Sequence, residues 1–524
     1  MDNNPGATFT ARLNDLQYIL PLHQDPAVLQ TYLDDVDQRY KLFGGQLMPL
    51  KSVTLSDRGL VRRYELAPPD NAVVMGVVDA DTERAANFTQ GSWTNLRWQP
   101  THISDIELTV QYDERSDWEI MQAYGPDLGK VAEYLERQAA KQLNRLTAAL
   151  LVADRRGIIG YVGKAVSGTT SDDTTNSQYV FDLYLTAASI PAAFGVGSLL
   201  QMCAPPTGFG AITTVRNYTA FIKVIGPMRG GKYESTYGSV YYVKVAAPYT
   251  ADTKTTVKTQ IDSIVDNDPI CRWAGATAGT TSLPTNGGPN FGLCGGRFWW
   301  ETNGSGTFAN IEECSGAITQ ALVTDENTPR TVSRNATSKE WDMILNPLVI
   351  EGGGGNVGSA AAMGYIDDAA RELRLRNGDW VTPIILVAPP AHRAIRDFIG
   401  TSSIYRWENV DDEKRKVMQR WGTSGFVYQG ETGQPVIVGQ SMAIPADCVL
   451  MIANSGAFET AVGNKTAMPR WLPGEIGGHW SIRRNASGNL LHSYQATMHQ
   501  ALQMIPAVPL GNVIAVVRNL VPTS

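Results

Sequence analysis

The best candidate for phosphate chemistry is the run from Gly226 to Lys232. It has the G-x-x-x-x-G-K spacing, in which backbone N–H groups cradle a phosphate and the lysine reaches the outer phosphates, and it follows an apolar stretch. The next residue, Tyr233, replaces the serine or threonine that holds magnesium, and no helix with a clear apolar stripe follows. The run therefore predicts a glycine-rich turn and not a nucleotide site.

A second glycine run, residues 352–355, stands ahead of a helical pattern. Backbone N–H groups at a helix N-terminus can hold an anion, so an anion site is one interpretation. Four consecutive glycines more simply predict a flexible hinge, or a place where another backbone passes close by.

The other reactive residues give no support to metal binding or catalysis. The six histidines contain no His-x-x-x-His pair, and the chain has no Gly-x-Ser-x-Gly nucleophile motif. The five cysteines are widely spaced, which predicts buried thiols in a reducing cell; a disulfide among the four between positions 200 and 315 is the alternative. We expect no metal, no cofactor and no catalytic residue, which favours a structural role.

Composition narrows the class of protein further. The chain has 524 residues, with 44 basic and 51 acidic side chains and a net charge of −7, whereas a protein that coats duplex DNA would be far more basic. The 50 glycines and 28 prolines predict a folded, loop-rich and β-leaning protein. No signal peptide and no apolar run of about 18 residues is present, which predicts a protein made in the cytoplasm that spans no membrane.

The N-terminal third predicts extended structure followed by one long helix. Residues 1–45 are polar and resemble an arm, and residues 46–115 alternate apolar and polar side chains around a turn at Asp57-Arg58-Gly59, which predicts a β-hairpin within a long β-excursion. Apolar residues at three- and four-residue spacing then predict a helix over residues 127–154, a rod of roughly 42 Å.

The rest of the chain predicts a β-rich region and then mixed α/β structure. Short apolar strands are expected within residues 158–330, and a helix is expected over residues 360–377. Its apolar stripe consists of Met363, Ile366, Ala369, Ala370 and Leu373. The other predicted elements are strands at 179–184, 220–225, 240–245, 383–388, 433–439 and 447–452, a helix from 391, and extended structure over 490–520.

This order of elements resembles the major capsid proteins of tailed bacteriophages, which have the Hong Kong 97 capsid fold. The most specific local similarities are the stretch from Thr382 to His392 and the stretch from Gly433 through Met442, Pro445 and Asp447. The resemblance implies an α+β fold with an N-arm, an extended E-loop, a spine helix, peripheral and axial domains, and here an added β-rich insertion domain.

The resemblance also implies a division of the chain. The expected segments are the N-terminal arm (1–45), the E-loop (46–115), the spine helix of the peripheral domain (116–157), the insertion domain (158–330), the peripheral domain (331–400), the axial domain (401–485) and the C-terminal return strands (486–524).

The function implied is self-assembly into the hexamers and pentamers of an icosahedral shell that encloses the phage genome. The implied partners are other copies of the chain, a scaffold protein, the portal, a cement or decoration protein and packaged double-stranded DNA, bound non-specifically. The protein would be made and assembled in the host cytoplasm and reside in the virion capsid. The alternatives are the shell of a bacterial nanocompartment, a β-rich surface or fibre protein that binds carbohydrate, for which Trp299 and Trp300 are candidates, and an undetected enzyme.

Aromatic and arginine residues dominate the energetics of protein interfaces. The expected contacts between subunits are therefore in the E-loop segment, at Arg62, Arg63, Trp93, Leu96 and Trp98.

Overall fold

The computed structural model describes four sheets and the helices that pack on them. It covers residues 52–54, 62–64, 95–100, 104–113, 152–153, 157–208, 212–234, 238–273, 295–302, 308, 318–323, 329–330, 346–377, 384–401, 426–429, 435–453, 458–462, 470–471, 480–484, 490–506, 511 and 513–522. These residues contain 24 strands and four α-helices, so the predicted α+β class is confirmed. The predicted helix over 127–154 lies outside the described residues apart from 152–153.

One sheet is organised around a single long strand, β23 (Leu490–Pro506). On one side it pairs antiparallel with β4 (Ser104–Asp113), from Ser493 opposite Asp113 to Leu502 opposite Ser104. On its other side lie β20 (Phe458–Val462), β21 (Arg470–Trp471) and β22 (Trp480–Arg484), and β1 (Ser52–Thr54) adds parallel to β20. We call this the long-strand sheet.

The chain between β1 and β4 contributes to a different, four-stranded sheet, which we call the excursion sheet. Its strands are β2 (Arg62–Tyr64), β3 (Asn95–Pro100), β13 (Ile318–Val323) and β14 (Pro329–Arg330), in the order β14-β13-β3-β2. Because β1 pairs with β20 and β2 pairs with β3, these two strands do not pair with each other as the predicted hairpin requires. The predicted turn itself, Asp57-Arg58-Gly59, lies outside the described residues. The turn signal is local, whereas both strands find their partners in remote parts of the chain.

Residues 160–272 form an eight-stranded sheet. Its strands are β5 (Gly160–Tyr161), β6 (Ser171–Asp173), β7 (Gln178–Thr186), β8 (Leu199–Met202), β9 (Ile222–Val224), β10 (Arg229–Glu234), β11 (Ser239–Pro248) and β12 (Pro269–Arg272). The order is β5-β12-β8-β9-β11-β7-β6, with β10 on β11. A bridge between Val162 and Leu185, and a hydrogen bond of 2.8 Å from Gly163 N to Tyr184 O, join the β5 end back to β7. The strands from β5 to β7 therefore close into a barrel.

The barrel confirms the strands predicted at 179–184, 220–225 and 240–245, which correspond to β7, β9 and β11. Alternating residues of β7 and β9, such as Phe181, Leu183, Ile222 and Val224, are buried. One helix, α1 (Lys254–Asp262), lies between β11 and β12. A second short helix, α2 (Gly296–Trp300), follows the barrel strands in the chain.

The C-terminal half builds a six-stranded mixed sheet. Its strands are β15 (Leu348–Glu351), β16 (Ile384–Val387), β17 (Phe426–Gln429), β18 (Pro435–Gln440), β19 (Val449–Ile452) and β24 (Ile514–Arg518), in the order β15-β24-β19-β16-β18-β17. β16 is parallel to β18 and antiparallel to β19. The strands predicted at 383–388, 433–439 and 447–452 are thereby confirmed. Their assignment to a peripheral and an axial domain stays a prediction.

Two helices pack on the mixed sheet. The first, α3 (Ala360–Asn377), has the predicted bounds, and the five predicted apolar residues are all buried in one cluster with strand residues such as Val387, Met451 and Ala515. The second, α4 (Pro389–Thr401), begins two residues before the predicted start, since proline suits the first turn of a helix. The periodicity of apolar residues therefore predicted the packing as well as the helix.

The glycine run at 352–355 links β15 to α3. Another backbone passes close to it, which confirms that interpretation of the four glycines. Gly352 N donates to Arg518 O and Gly354 N donates to Asn519 O, each at 2.8 Å. Gly353 and Gly354 have positive φ angles of 57° and 74°. A Cβ atom on Gly352 would lie 2.4 Å from the side chain of Leu520.

The run from Gly226 to Lys232 does not form a loop that leads into a helix. It joins β9 to β10, and its last residues belong to β10, which pairs antiparallel with β11. Gly230 has a φ of 105°, and its Cα packs so closely on β11 that a Cβ atom would lie 2.5 Å from Val240 O. The glycines therefore serve strand pairing.

We expect Gly358→Ala to destabilise the mixed sheet and its helices. Gly358 has a φ of 85°, and an added Cβ would lie 2.6 Å from Ala394 O in α4. The strain should lower the free energy of unfolding by about 1–3 kcal/mol. The measurement is the urea midpoint of the unassembled chain.

The matched control is Gly364→Ala, which lies inside α3 with nothing within 4 Å of the added Cβ. This change should stabilise by about 0.5–1 kcal/mol, because alanine is the better helix former. Equal midpoints for the two variants would contradict the close approach of Gly358 to α4.

Candidate assembly surface and the junction of barrel and mixed sheet

Four of the five predicted contact residues lie on two adjacent strands. Arg62 and Arg63 belong to β2, and Leu96 and Trp98 belong to β3. The register places Arg62 opposite Trp98. Trp93 lies outside the described residues. The backbone thus brings the four together, and their role in contacts between subunits stays a prediction.

β3 has a partner on each side within the excursion sheet. Leu96 lies opposite Leu322, and Trp98 lies opposite Gln320, both on β13. From the sequence, β13 is expected in the insertion domain and β3 in the E-loop. The two segments share a sheet, and this pairing was not predicted.

The barrel is joined to the mixed sheet by main-chain hydrogen bonds. Ala446 N and Asp447 N both donate to Ala187 O, at 2.8 and 3.3 Å, and Ala192 N donates to Met442 O at 2.8 Å. Two chain segments thus meet here: residues 187–192, which follow β7, and residues 441–448, which connect β18 to β19. We call this contact the junction.

Arg297 of α2 lies across the junction. It donates to Ala188 O at 3.0 Å, its guanidinium lies 5.5 Å from the centre of the Tyr161 ring, and its Nε lies 3.3 Å from Oε2 of Glu301. Tyr161 belongs to β5 of the barrel, and Ala188 belongs to the segment that follows β7. Arg297 therefore connects α2 to the barrel.

Arg518, at the end of β24, also connects separate segments of the chain. It donates to the carboxylate of Glu351 on the neighbouring strand β15 and to Thr302 O, at 3.2 Å, just after α2. The Arg518 side chain is 19% exposed, so these charge-assisted hydrogen bonds form in a partly desolvated place. Arg297 and Arg518 therefore connect the barrel, α2 and the mixed sheet.

A cavity of about 410 Å³ lies between these groups. Its lining carries the two arginines and three carboxyl groups, those of Glu301, Glu351 and Asp447. Burial raises the pKa of the Asp447 carboxyl, while Arg297 and Arg518 act in the opposite direction. Burial, together with Asp447, also raises the pKa of the neighbouring Cys448 thiol, which keeps that thiol in its neutral form.

Sequence reasoning did not predict the junction: it named Met442 and Asp447 only within a local similarity, and it did not name Arg297 or Arg518. Arg518 ends an otherwise apolar strand and Asp447 comes just before one, and a charge beside a buried strand was the available signal. Trp299 and Trp300, named as candidates for carbohydrate contact, are instead buried at 0% and 4% exposure, so they offer no surface to a sugar. Cys203, Cys271 and Cys448 are buried, as the first interpretation of the cysteines predicted; Cys294 and Cys314 lie outside the described residues.

Within the described part of the chain, no three His, Cys, Asp or Glu side chains are placed so that they could hold a metal ion. The helices that the structure describes are too short or too polar to cross a membrane.

Several solved structures match the chain over most of its length. The capsid asymmetric unit of cyanophage A-1(L) shares 11% identity, with 93% of this chain and 94% of that chain covered and a TM-score of 0.39. The capsid asymmetric unit of cyanophage Pam1 shares 10% identity over 92% of each chain, with a TM-score of 0.35. These structures are phage capsids.

An encapsulin complex from Synechococcus elongatus also matches, at 14% identity, with 36% of this chain and 60% of that chain covered and a TM-score of 0.20. No protein-family model matches the sequence, and no curated protein matches it either.

We expect Asp447→Asn to stabilise the chain at neutral pH. A carboxyl whose pKa is raised on folding contributes its full stability below the ordinary aspartate pKa of about 3.9, and that contribution is lost as the pH rises through the raised pKa. At pH 7, above the ordinary aspartate pKa, the buried Asp447 carboxyl therefore weakens the fold, and the amide, which does not titrate, removes this cost. The melting temperature should rise at pH 7, and the gain should shrink toward pH 4.

Asp172→Asn is the control with the opposite sign. Hydrogen bonds from Lys254 and Tyr249 lower the pKa of Asp172, so its contribution is present above the ordinary value and is lost as the pH falls through the lowered pKa. This variant should melt lower than the parent at pH 7. If both variants shift the melting temperature in the same direction at pH 7, the assignment for Asp447 is wrong.

Proposed function

We propose that this chain is the major capsid protein of a tailed phage, which assembles into the hexamers and pentamers of an icosahedral shell around double-stranded DNA. The role is structural and requires no catalytic residue. One observation carries the proposal: the chain leaves the long-strand sheet after β1, contributes β2 and β3 to the excursion sheet, and returns to the long-strand sheet with β4.

An excursion anchored at both ends suits a subunit that must reach its neighbours. A shell uses one surface in several slightly different surroundings, and an extended segment can adapt to them better than a rigid face. Such assemblies bury interfaces of the obligate size, about 2,000–5,000 Å². The excursion between β1 and β4 would then correspond to the E-loop, with Arg62, Arg63, Trp93, Leu96 and Trp98 as contacts with a neighbouring subunit.

The rest of the division follows the sequence resemblance. In this proposal residues 1–45 form an arm on a neighbour, residues 116–157 carry the spine helix, and the barrel within 158–330 is an insertion. The long-strand and mixed sheets supply the peripheral and axial domains. A separate scaffold, the portal and a decoration protein are proposed partners, with assembly in the host cytoplasm.

Contact with packaged DNA would be loose and independent of sequence. The net charge of −7 disfavours a tight grip on phosphate, which suits a wall that must release its contents. A nanocompartment shell is the alternative with the same fold, and it would enclose enzyme cargo in place of a genome.

Electron microscopy of the purified chain, alone and co-expressed with its neighbouring genes, tests the proposal. We expect closed polyhedral particles, or free pentamers and hexamers. Uniform small oligomers or fibres under both conditions would overturn the capsid assignment. Closed particles that enclose an enzyme and no DNA would favour the nanocompartment.

Variants at the proposed contacts test the assembly surface separately. Arg62→Glu and Trp98→Ala should each abolish closed particles while the soluble chain keeps its melting temperature, because truncating an interface anchor weakens association. Lys223→Glu, a matched charge reversal at an exposed position on β9, should leave particles intact. Normal particles from both contact variants would remove these residues from the interface.

A further inference from the structure

A groove of about 470 Å³ lies on the barrel between α1 and the segment that follows β8. One wall consists of Thr255, Thr256 and Thr259 of α1, and the other contains Thr214, Arg216 and Tyr218. The volume falls within the range of about 300–1,000 Å³ that is typical of ligand sites. The groove is unrelated to the strands proposed for assembly.

Two pairs of hydrogen bonds hold the walls in place. Gln260 of α1 donates from Nε2 to the Thr219 hydroxyl at 2.6 Å and accepts from Thr219 N at 3.1 Å. Arg216 donates from Nε and one terminal nitrogen to the two oxygens of Asp268, whose side chain is fully buried. The groove is therefore formed before any ligand arrives, which lowers the entropic cost of binding.

Hydroxyl groups dominate the polar lining. In the described residues, no hydrogen bond uses the side-chain hydroxyls of Thr214, Tyr218, Thr255 or Thr256, so each can donate and accept. Tyr218 is half-buried and packs against an apolar cluster that includes Val215 and Cys271. Its ring also lines the groove and gives the ligand an apolar surface beside the hydroxyls.

The lining disfavours a peptide and a nucleic acid. Ala204 N donates to Thr214 O at 2.9 Å, and Arg216 N donates to Met202 O at 2.8 Å. These backbone groups of the wall are therefore not available to pair with a peptide strand. Arg216 is the one cationic side chain in the lining, and Asp268 neutralises it. Binding of nucleic acid depends on uncompensated positive charge.

We propose that this groove binds a neutral saccharide. Sugar hydroxyls both donate and accept hydrogen bonds, which matches the threonine hydroxyls, and the C–H face of a sugar ring matches the apolar ring of Tyr218. The proposal assigns the barrel a recognition role in addition to the shell function.

The test uses the full-length chain and soluble neutral hexasaccharides of glucose, mannose and N-acetylglucosamine, followed by saturation-transfer NMR and titration. We expect saturable binding of at least one of them. The double variant Thr255→Val, Thr256→Val keeps the side-chain shape and removes two hydroxyls, and it should weaken binding at least about fivefold. Particle formation provides an independent readout, which this double variant should leave unchanged.

Thr213→Val is the matched control, because Thr213 is exposed and does not line the groove. It should bind like the parent. The proposal is overturned if no hexasaccharide binds, if the control loses affinity as the double variant does, or if only sulfated saccharides or peptides bind.

Discussion

The main-chain hydrogen bonds at the junction are the constraint on which the arrangement of the barrel and the mixed sheet depends. Backbone N–H and C=O groups that leave water must find partners, and here the partners of one unit lie in the other. Ala187 O accepts from both Ala446 and Asp447, directly before β19 enters the core of the mixed sheet. Since these donors and acceptors are part of the backbone, substitutions other than to proline leave them in place. Position is thus set by the chain path itself, and the side chains adjust to it.

The charged residues around the cavity follow from that path. Arg297 and Arg518 lie where α2, the barrel and β24 approach each other. They donate hydrogen bonds to the backbone oxygens of Ala188 and Thr302, in place of the hydrogen bonds that these oxygens would accept from water. Partial burial has a cost, which is visible in the raised pKa of Asp447. A junction of this kind combines rigid backbone contacts with side chains whose charge balance responds to pH.

Elements that depend on local pattern were predictable, and contacts between remote segments were not. The helix over Ala360–Asn377 was predicted with its bounds and its buried face, because its apolar spacing of three and four residues suits only a helix against a core. The pairing of β1 with β2 around Asp57-Arg58-Gly59 was predicted wrongly, because a turn signal does not reveal which strands pair. For the candidate site, sequence reasoning selected residues on β2 and β3, but it could not find that β13 pairs with β3. The positions of Arg518 and Asp447 at the junction were not predicted for the same reason, since they depend on segments that meet only in the folded chain.

The pairing of β4 with β23 has a consequence for the order of events during synthesis. These strands lie at opposite ends of the chain, so the long-strand sheet cannot form until the last part of the protein has left the ribosome. The barrel has all its strands within residues 160–272 and can fold much earlier. Contacts between residues far apart in sequence also form slowly, because the loop between them must be closed first. The barrel, in the middle of the chain, is thus the unit that folds first. Until β23 has been synthesised, β4 has apolar residues and hydrogen-bonding groups without their final partner. Such a state favours binding by a chaperone.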